Sequence, residues 1–477
     1  MRARKNMNTR WLLALLILPF WVSSCSTDSD VAVSNDYCYI KSVTLGTVKR
    51  ELKTSSTSFQ GNTYAMTINH RNNTIENRDS LPYGSLLSAV LATITFDGSM
   101  IEYRVKNSNS EWTAYNSTDS LNLTDTLELH LYSNDGQSSR TYHFWVNVHQ
   151  QEGDSLSWKQ CEADVEELKS LTDMKAFVLN NKLMVIGVKN GTDTVLVERS
   201  GLEAQGIWGT ANDEGQPIKF PSAADLQTLR QHNDTLYLST GNGEVFYSID
   251  AKKWKKTATT HSASLTLIEK TDKYFYAISE GKIWRHSVDA DNTEEYEWKE
   301  DKLESKAQTD SLPGDSIKAL IMKQDNGSIR MVMLGQRDAE DVNDKEKYNH
   351  CFVWYKMWNE GWKTHEEDAE WIYFPISPDN SIPCPRLNYL NLLPYDGKCI
   401  VFGGPSLDGT RKALDAIYVS QDYGITWRIG TELYPPTELN GIDGCITAVV
   451  DNNNFIWIIT NSQVWRGRLN RLGFAQQ

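Results

Sequence analysis

Six short apolar runs, at 183–186, 236–238, 274–278, 329–334, 399–402 and 455–459, restrict the possible folds of this chain more than any other feature. Several are preceded by a second apolar run, as at 176–179, 265–268 and 446–450, and several are followed after a turn by a third, as at 245–247, 283–285, 352–354, 417–419 and 464–466. A meander of this kind cannot bury both of its faces alone, so repeated copies predict a stack or a ring. A fourth strand carries its own tag, a Trp followed by a cation: Trp158-Lys159, Trp254-Lys255, Trp298-Lys299, Trp362-Lys363 and Trp427-Arg428, with Trp208-Gly209 as the exception. These tags run one step ahead of the other strands, since Trp158 precedes every one of them and the last repeat ends at its third strand. The offset predicts that residues 156–159 supply the outer strand of the last repeat. Such closure removes the two open edges of an array, and 152–477 is therefore expected to be a six-bladed β-propeller.

The turn that ends the fifth repeat reads Ser420-Gln-Asp-Tyr-Gly-Ile-Thr-Trp427. It resembles the Asp-box of sialidase-type and other propellers. In that motif the Asp422 carboxylate accepts backbone N–H groups, Gly424 takes a positive φ, and Trp427 packs the turn against its blade, with Ser420 and Thr426 completing the octet. Residues 248–250 and 287–289 read as degraded copies, and 359–361 as a plain tight turn.

From residue 37 to 151 the pattern changes to period-two alternation, as at 39–43, 63–68, 100–105, 127–131 and 142–148, which predicts an all-β sandwich. Its last hairpin, 131–146, resembles that of bacterial Ig-like domains, which act as spacers. Ahead of it, Arg2, Arg4, Lys5 and Arg10 precede an apolar run at 11–21 and then Val22-Ser-Ser-Cys25. This reads as a lipoprotein leader over 1–24, with Cys25 as the lipidated residue and 25–36 as a tether. The apolar run is too short to span a bilayer comfortably. Losing the leader takes the formal charge from −14 to about −18, which excludes nucleic acid and anionic lipid surfaces as partners. The cysteines beyond Cys25 show neither a disulfide framework nor zinc-ligand spacing, and Cys399 and Cys445 read as buried thiols.

Together the leader, the Ig-like segment and the propeller, with kelch-like Gly403-Gly404 and the Asp-box, resemble an uncharacterised family of Bacteroidetes surface lipoproteins. The resemblance implies an address at the outer membrane and a fold, and brings no activity with it. No phosphate loop, nucleophile elbow or dinucleotide fingerprint is present, so no cofactor is expected. Sialidase chemistry needs three converging arginines, yet Arg386 alone stands near a predicted inner-strand entrance, while Asp173, Asp225, Asp315 and Asp443 stand near others. His365-Glu-Glu-Asp368 reads as a solvated loop after the fourth strand tagged by Trp362, and 338–347 as an acidic insertion; no metal site is expected. Most of the 16 Trp and 21 Tyr fall in the repeat register. Trp358, Trp371, Tyr373, Tyr389 and Tyr395 fall outside it and are the candidates for stacking on a sugar, with Arg386, Asp225 and Asp173 at the channel mouth. The expected function is capture of a glycan or an envelope protein by the propeller's loop face; a sialidase-like glycoside hydrolase or lyase and a structural envelope subunit stand as alternatives.

Overall fold

The computed structural model describes residues 36–52, 55–288, 297–304, 311–337, 349–359, 361, 364–375 and 382–473. The leader, Cys25, most of the tether, the 338–347 insertion and the Trp362-Lys363 pair lie outside them. The chain is nearly all β and divides into two units, Met1–Val148 and His149–Gln477.

The first unit packs a three-stranded sheet (Tyr39–Leu45, Val90–Asp97, Ser120–Leu121) with a six-stranded one. The larger sheet has the order Met66–Asn69, Thr74–Asn77, Ser139–Phe144, Leu127–Tyr132, Met100–Val105, Thr113–Ala114. Alternation drives this assembly: along Val90–Asp97 every second residue through Ile94 is buried, and Leu127, Leu129 and Leu131 are at most 1 % exposed. Thr74–Asn77 joins Ser139–Phe144 in parallel, through His143–Thr74 and Phe144–Ile75. That parallel pair and the strand Val90–Asp97 were not anticipated from the sequence.

The second unit is a six-bladed propeller, with six four-stranded sheets among the described residues. Its inner strands are Leu171–Leu179, Arg230–His232, Thr266–Lys270, Asp315–Lys323, Asn391–Tyr395 and Ile446–Val450. The ring closes as the Trp offset predicts. Leu156–Glu162 pairs antiparallel with Val464–Leu469 as the outer strand of blade 6, setting Leu156 opposite Leu469 and Trp158 opposite Gly467. Gly467 is required there, because a Cβ would collide with the Trp158 ring.

One strand was misplaced. In blade 4 the strand that pairs with Phe352–Trp358 is Trp371–Phe374, so Trp371 holds the outer-strand position that the sequence assigned to Trp362. The His365–Asp368 stretch therefore precedes the fourth strand. It is also not simply solvated: Glu366 is 3 % exposed and accepts hydrogen bonds from Thr271 Oγ1 (2.7 Å) and Tyr276 OH (3.0 Å) in blade 3.

The turn at Ser420–Trp427 shows how its side chains replace missing backbone partners. Ser420 Oγ donates to Asp422 Oδ1 (2.7 Å); that oxygen also accepts Ile425 N (3.2 Å) and Thr426 N (2.9 Å), while Thr426 Oγ1 donates to Asp422 Oδ2 (2.6 Å). Gly424 sits at φ +98°, where a Cβ would approach Val332 Cγ2 to 2.6 Å, and Trp427 is buried against blade 4. Ser248–Asp250, Ser406–Asp408 and Ser133–Asp135 repeat the Ser-to-Asp bond. Burial pushes the Asp422 carboxyl up, but the bonds from Thr426, Ser420 and Ile425 outweigh it and hold the group below the usual carboxylate range. Its contribution is full above about pH 4 and is lost as pH falls through the depressed value. Asp422→Ala is expected to cost about 2 kcal/mol in urea unfolding at neutral pH, a deficit that shrinks in acid.

Candidate functional site: the central channel

Inner strands of a propeller converge on the axis, where their polar residues have no neighbouring sheet to pack on and must find partners across the channel. Here a cavity of about 390 Å³ is lined from every blade, through Lys175, Arg230, Glu269, Leu320, Leu393 and Val449. Three charged side chains stand out in it against apolar strand residues.

Arg230 is buried and fixed. Its Nε donates to Ile268 O (2.5 Å), its NH1 to Gln227 O (2.8 Å) and Leu229 O (2.9 Å), and its NH2 to Ile317 O (3.0 Å). Four carbonyls drawn from blades 2, 3 and 4 thus hold a cation that no carboxylate among the described residues contacts directly. Lys175 is less satisfied: among the described residues no hydrogen bond or ion pair reaches its ammonium. Burial pulls its pKa well below the ordinary value, and Lys318 and Arg230 pull it further. Glu269 accepts one bond, from Lys270 N (3.0 Å), and burial pushes its carboxyl up to about 7 against the pull of Arg230. Lys175 and Glu269 form no ion pair with each other, so among the described residues the cavity holds an unpartnered amine and an under-used acceptor.

Further towards the strand entrances lies a polar bridge. Gln227 Nε2 donates to both Asp173 oxygens (3.1 Å each), Lys318 Nζ donates to Gln227 Oε1 (2.6 Å), and Asp225 Oδ1 accepts Gln227 N (2.9 Å) at the start of the turn Leu226–Thr228. Burial lowers the Lys318 pKa to about 8, helped by Arg230 and opposed by Asp173 and Asp225; burial also raises Asp225. Asp173 and Asp225 are therefore linked through Gln227, with Lys175, Arg230 and Lys318 close by. The expected ring of carboxylates with one arginine is wrong, because Lys175, Arg230 and Lys318 come from the inner strands of three different blades and only the ring juxtaposes them.

Arg386 is placed elsewhere. It is 8 % exposed, with bonds from Nε to Gln336 Oε1 (3.3 Å) and from NH1 to Arg337 O (2.9 Å) beside blade 4. The aromatic candidates mostly fail as platforms for a sugar. Trp358 and Trp371 are buried between blades 3 and 4, Tyr395 is 3 % exposed and donates to Asn454 O (3.2 Å), and Tyr373 stacks on Phe352. Tyr389 alone among them is open, at 43 % exposure, and a bond with the Cys445 thiol and burial push its hydroxyl up to about 12. Among the described residues no group of three or more His, Cys, Asp and Glu side chains is arranged to hold a metal ion. Clefts of about 470 Å³ beside Gln421–Leu433 and about 460 Å³ beside Arg386 lie among turns in which Asp422 and Arg386 already have partners.

Comparison with known proteins agrees with this architecture. The family model of the DUF6242 β-propeller domain matches residues 152–477, and that of the DUF6242 N-terminal domain matches 43–146. No curated protein matches the chain. Among solved structures, an α-L-arabinofuranosidase of Fusarium graminearum is similar at 12% identity over 66% of this chain and 98% of its own, with a TM-score of 0.39. The extracellular domain of a B. thetaiotaomicron protein named as a hybrid two component system is similar at 12% identity over 72% of this chain and 36% of its own, with a TM-score of 0.33. A streptogramin B lyase is similar at 9% identity over 73% of this chain and 88% of its own, with a TM-score of 0.30.

Proposed function

This chain belongs to the DUF6242 family, built from an N-terminal domain and a β-propeller, and on that premise we propose that it is a binding protein of the cell envelope whose channel captures a carboxylate-bearing glycan. In this reading Cys25 carries the lipid that anchors it to the outer membrane of a Bacteroidetes cell, the N-terminal sandwich is an Ig-like spacer, and the Ser420–Trp427 turn is an Asp-box. The basic leader, the small residues before Cys25 and the acidic charge support the address. One observation carries the ligand: Lys175 stands without a partner in a cavity that also offers Glu269 as an acceptor. A sugar carboxylate suits the ammonium, and sugar hydroxyls suit the Glu269 oxygens. Asp173, whose two oxygens accept Gln227, is occupied as a structural acceptor rather than poised as a catalytic base.

Calorimetry with oligogalacturonides and with their neutral counterparts tests this reading. The acidic series is expected to bind and the neutral one not, and Lys175→Met is expected to weaken binding about 100-fold. Affinity is expected to fall as pH rises through about 7, where Glu269 ionises and repels the incoming carboxylate. Binding also draws a proton onto Lys175, so the measured heat varies with the buffer's ionisation enthalpy. Equal affinity for both series, or indifference to Lys175→Met, removes the channel as the site. Release of reducing sugar would replace capture by hydrolysis.

A further inference from the structure

The described residues carry six free thiols, and two of them stand across one short antiparallel ladder. His350 pairs with Pro385, Cys351 N donates to Cys384 O at 2.9 Å, and Arg386 N donates to Asn349 O at 3.2 Å. This register sets Cys351 opposite Cys384. Residues so placed have Cα atoms about 5.5 Å apart, inside the span a disulfide bridges. Both sulfurs also gather about one atom: Cys351 Sγ lies 3.3 Å and Cys384 Sγ 3.8 Å from Pro385 O. Cys399 shares their core cluster, but its thiol is turned to Met322 Sδ at 3.0 Å, while the other three thiols point to Leu131 O, Lys159 O and Thr172 O in other parts of the fold.

From this geometry we infer that Cys351 and Cys384 are the site of a disulfide that staples the start of the third strand of blade 4 to the segment entering blade 5. The closed loop contains both outer strands of blade 4, Phe352–Trp358 and Trp371–Phe374, and holds the seam where Arg386 reaches Gln336. The oxidant is a disulfide, either a small one such as oxidised glutathione or that of a thiol–disulfide oxidoreductase. One cysteine thiolate attacks it and displaces a thiolate; the second cysteine then attacks the mixed disulfide. The Cys351–Cys384 bond forms, the oxidant's S–S bond takes two electrons and becomes two thiols, and the protons lost by the cysteines balance them. In the folded chain both sulfurs are at most 1 % exposed, and burial together with the neighbouring Cys351 holds the Cys384 thiol protonated. The bond therefore forms during folding, and once formed it resists reductants that cannot reach it.

The protein is refolded in a glutathione redox buffer, alkylated under denaturing conditions, digested and mapped by mass spectrometry. A Cys351–Cys384 linked peptide, about 2 Da lighter than its two halves, is expected, with the other four cysteines alkylated. Unfolding in the presence of a phosphine reductant is expected to lower Tm by several degrees for this chain and to leave Cys351→Ala/Cys384→Ala unmoved. Alkylation of both cysteines throughout the refolded protein, or linkage of Cys384 to Cys399, overturns the assignment. The peptide map needs no variant, so it decides the matter even where the double substitution fails to fold.

Discussion

Glu162→Ala is expected to destabilise the propeller by about 4 kcal/mol, a large share of the 5–15 kcal/mol that holds a typical domain. Glu162 ends the strand that closes the ring. Its carboxylate accepts Arg199 NH2 (2.6 Å) and Nε (3.2 Å), Gly206 N (3.0 Å) and Trp208 Nε1 (3.2 Å), so it ties the outer strand of blade 6 to blade 1. The Arg199 side chain is 0% exposed and, among the described residues, keeps only Gly201 O and the face of Trp457 once the carboxylate is gone. An unpaired buried guanidinium, rather than a lost ion pair, is the source of the cost. Urea unfolding measures it, and hydrogen exchange locates it: the amides of Val464–Leu469 are expected to lose protection first. Adding Arg199→Met to Glu162→Ala is expected to recover much of the stability, because the stranded charge is then absent. A loss below about 1 kcal/mol would mean that water reaches Arg199 and that the closure does not depend on this pair.

Asp301→Ala is expected to cost a similar amount, about 3–5 kcal/mol, at a different seam. Asp301 and Lys356 have fully buried side chains with Nζ 2.6 Å from Oδ2, and Asp301 also accepts Trp371 Nε1 (2.8 Å) and Arg285 NH1 (3.0 Å). Burial lowers the Lys356 pKa, and Asp301 is the main influence opposing that shift. Without Asp301 the folded value of the lysine lies further below the unfolded one. The unfolded chain then binds more protons over a wider range, and stability rises with pH until the unfolded lysine also titrates. The deficit of Asp301→Ala should accordingly shrink as pH rises towards the unfolded lysine's value of about 10, and Lys356→Met in the same background should abolish that dependence. Exchange should quicken in blades 3 and 4 and leave the closing strand unaffected, which separates this variant from the first.

How legible this protein is depends on whether a feature is local. Apolar runs with period two, Gly or Asn at turns, and Trp at the head of outer strands all report on residues within one meander, so the blades could be counted and the closing strand at 156–159 found. The Ser420–Trp427 turn was legible for the same reason, as its donors and acceptors lie within eight residues. Trp371 was misread because the long connection between the outer strands of blade 4 offered an earlier Trp in the same register. Its burial follows from Asp301 and Tyr276, contributed by blade 3.

The all-β class, the number of blades, the offset that closes the ring and the acidic charge can all be read along the chain. Which charges meet depends on how the blades are arranged around the axis. Lys175, Arg230, Glu269 and Lys318 belong to the inner strands of four different blades and are far apart in the chain, yet the ring places them around one axis. The same distinction separates buried from available aromatics, and Cys351–Cys384 from the other thiols. The reason is physical: strand and turn formation are set by neighbours along the chain, whereas desolvation, ion pairing and thiol proximity are set by neighbours across it, which no spacing in a single sequence encodes.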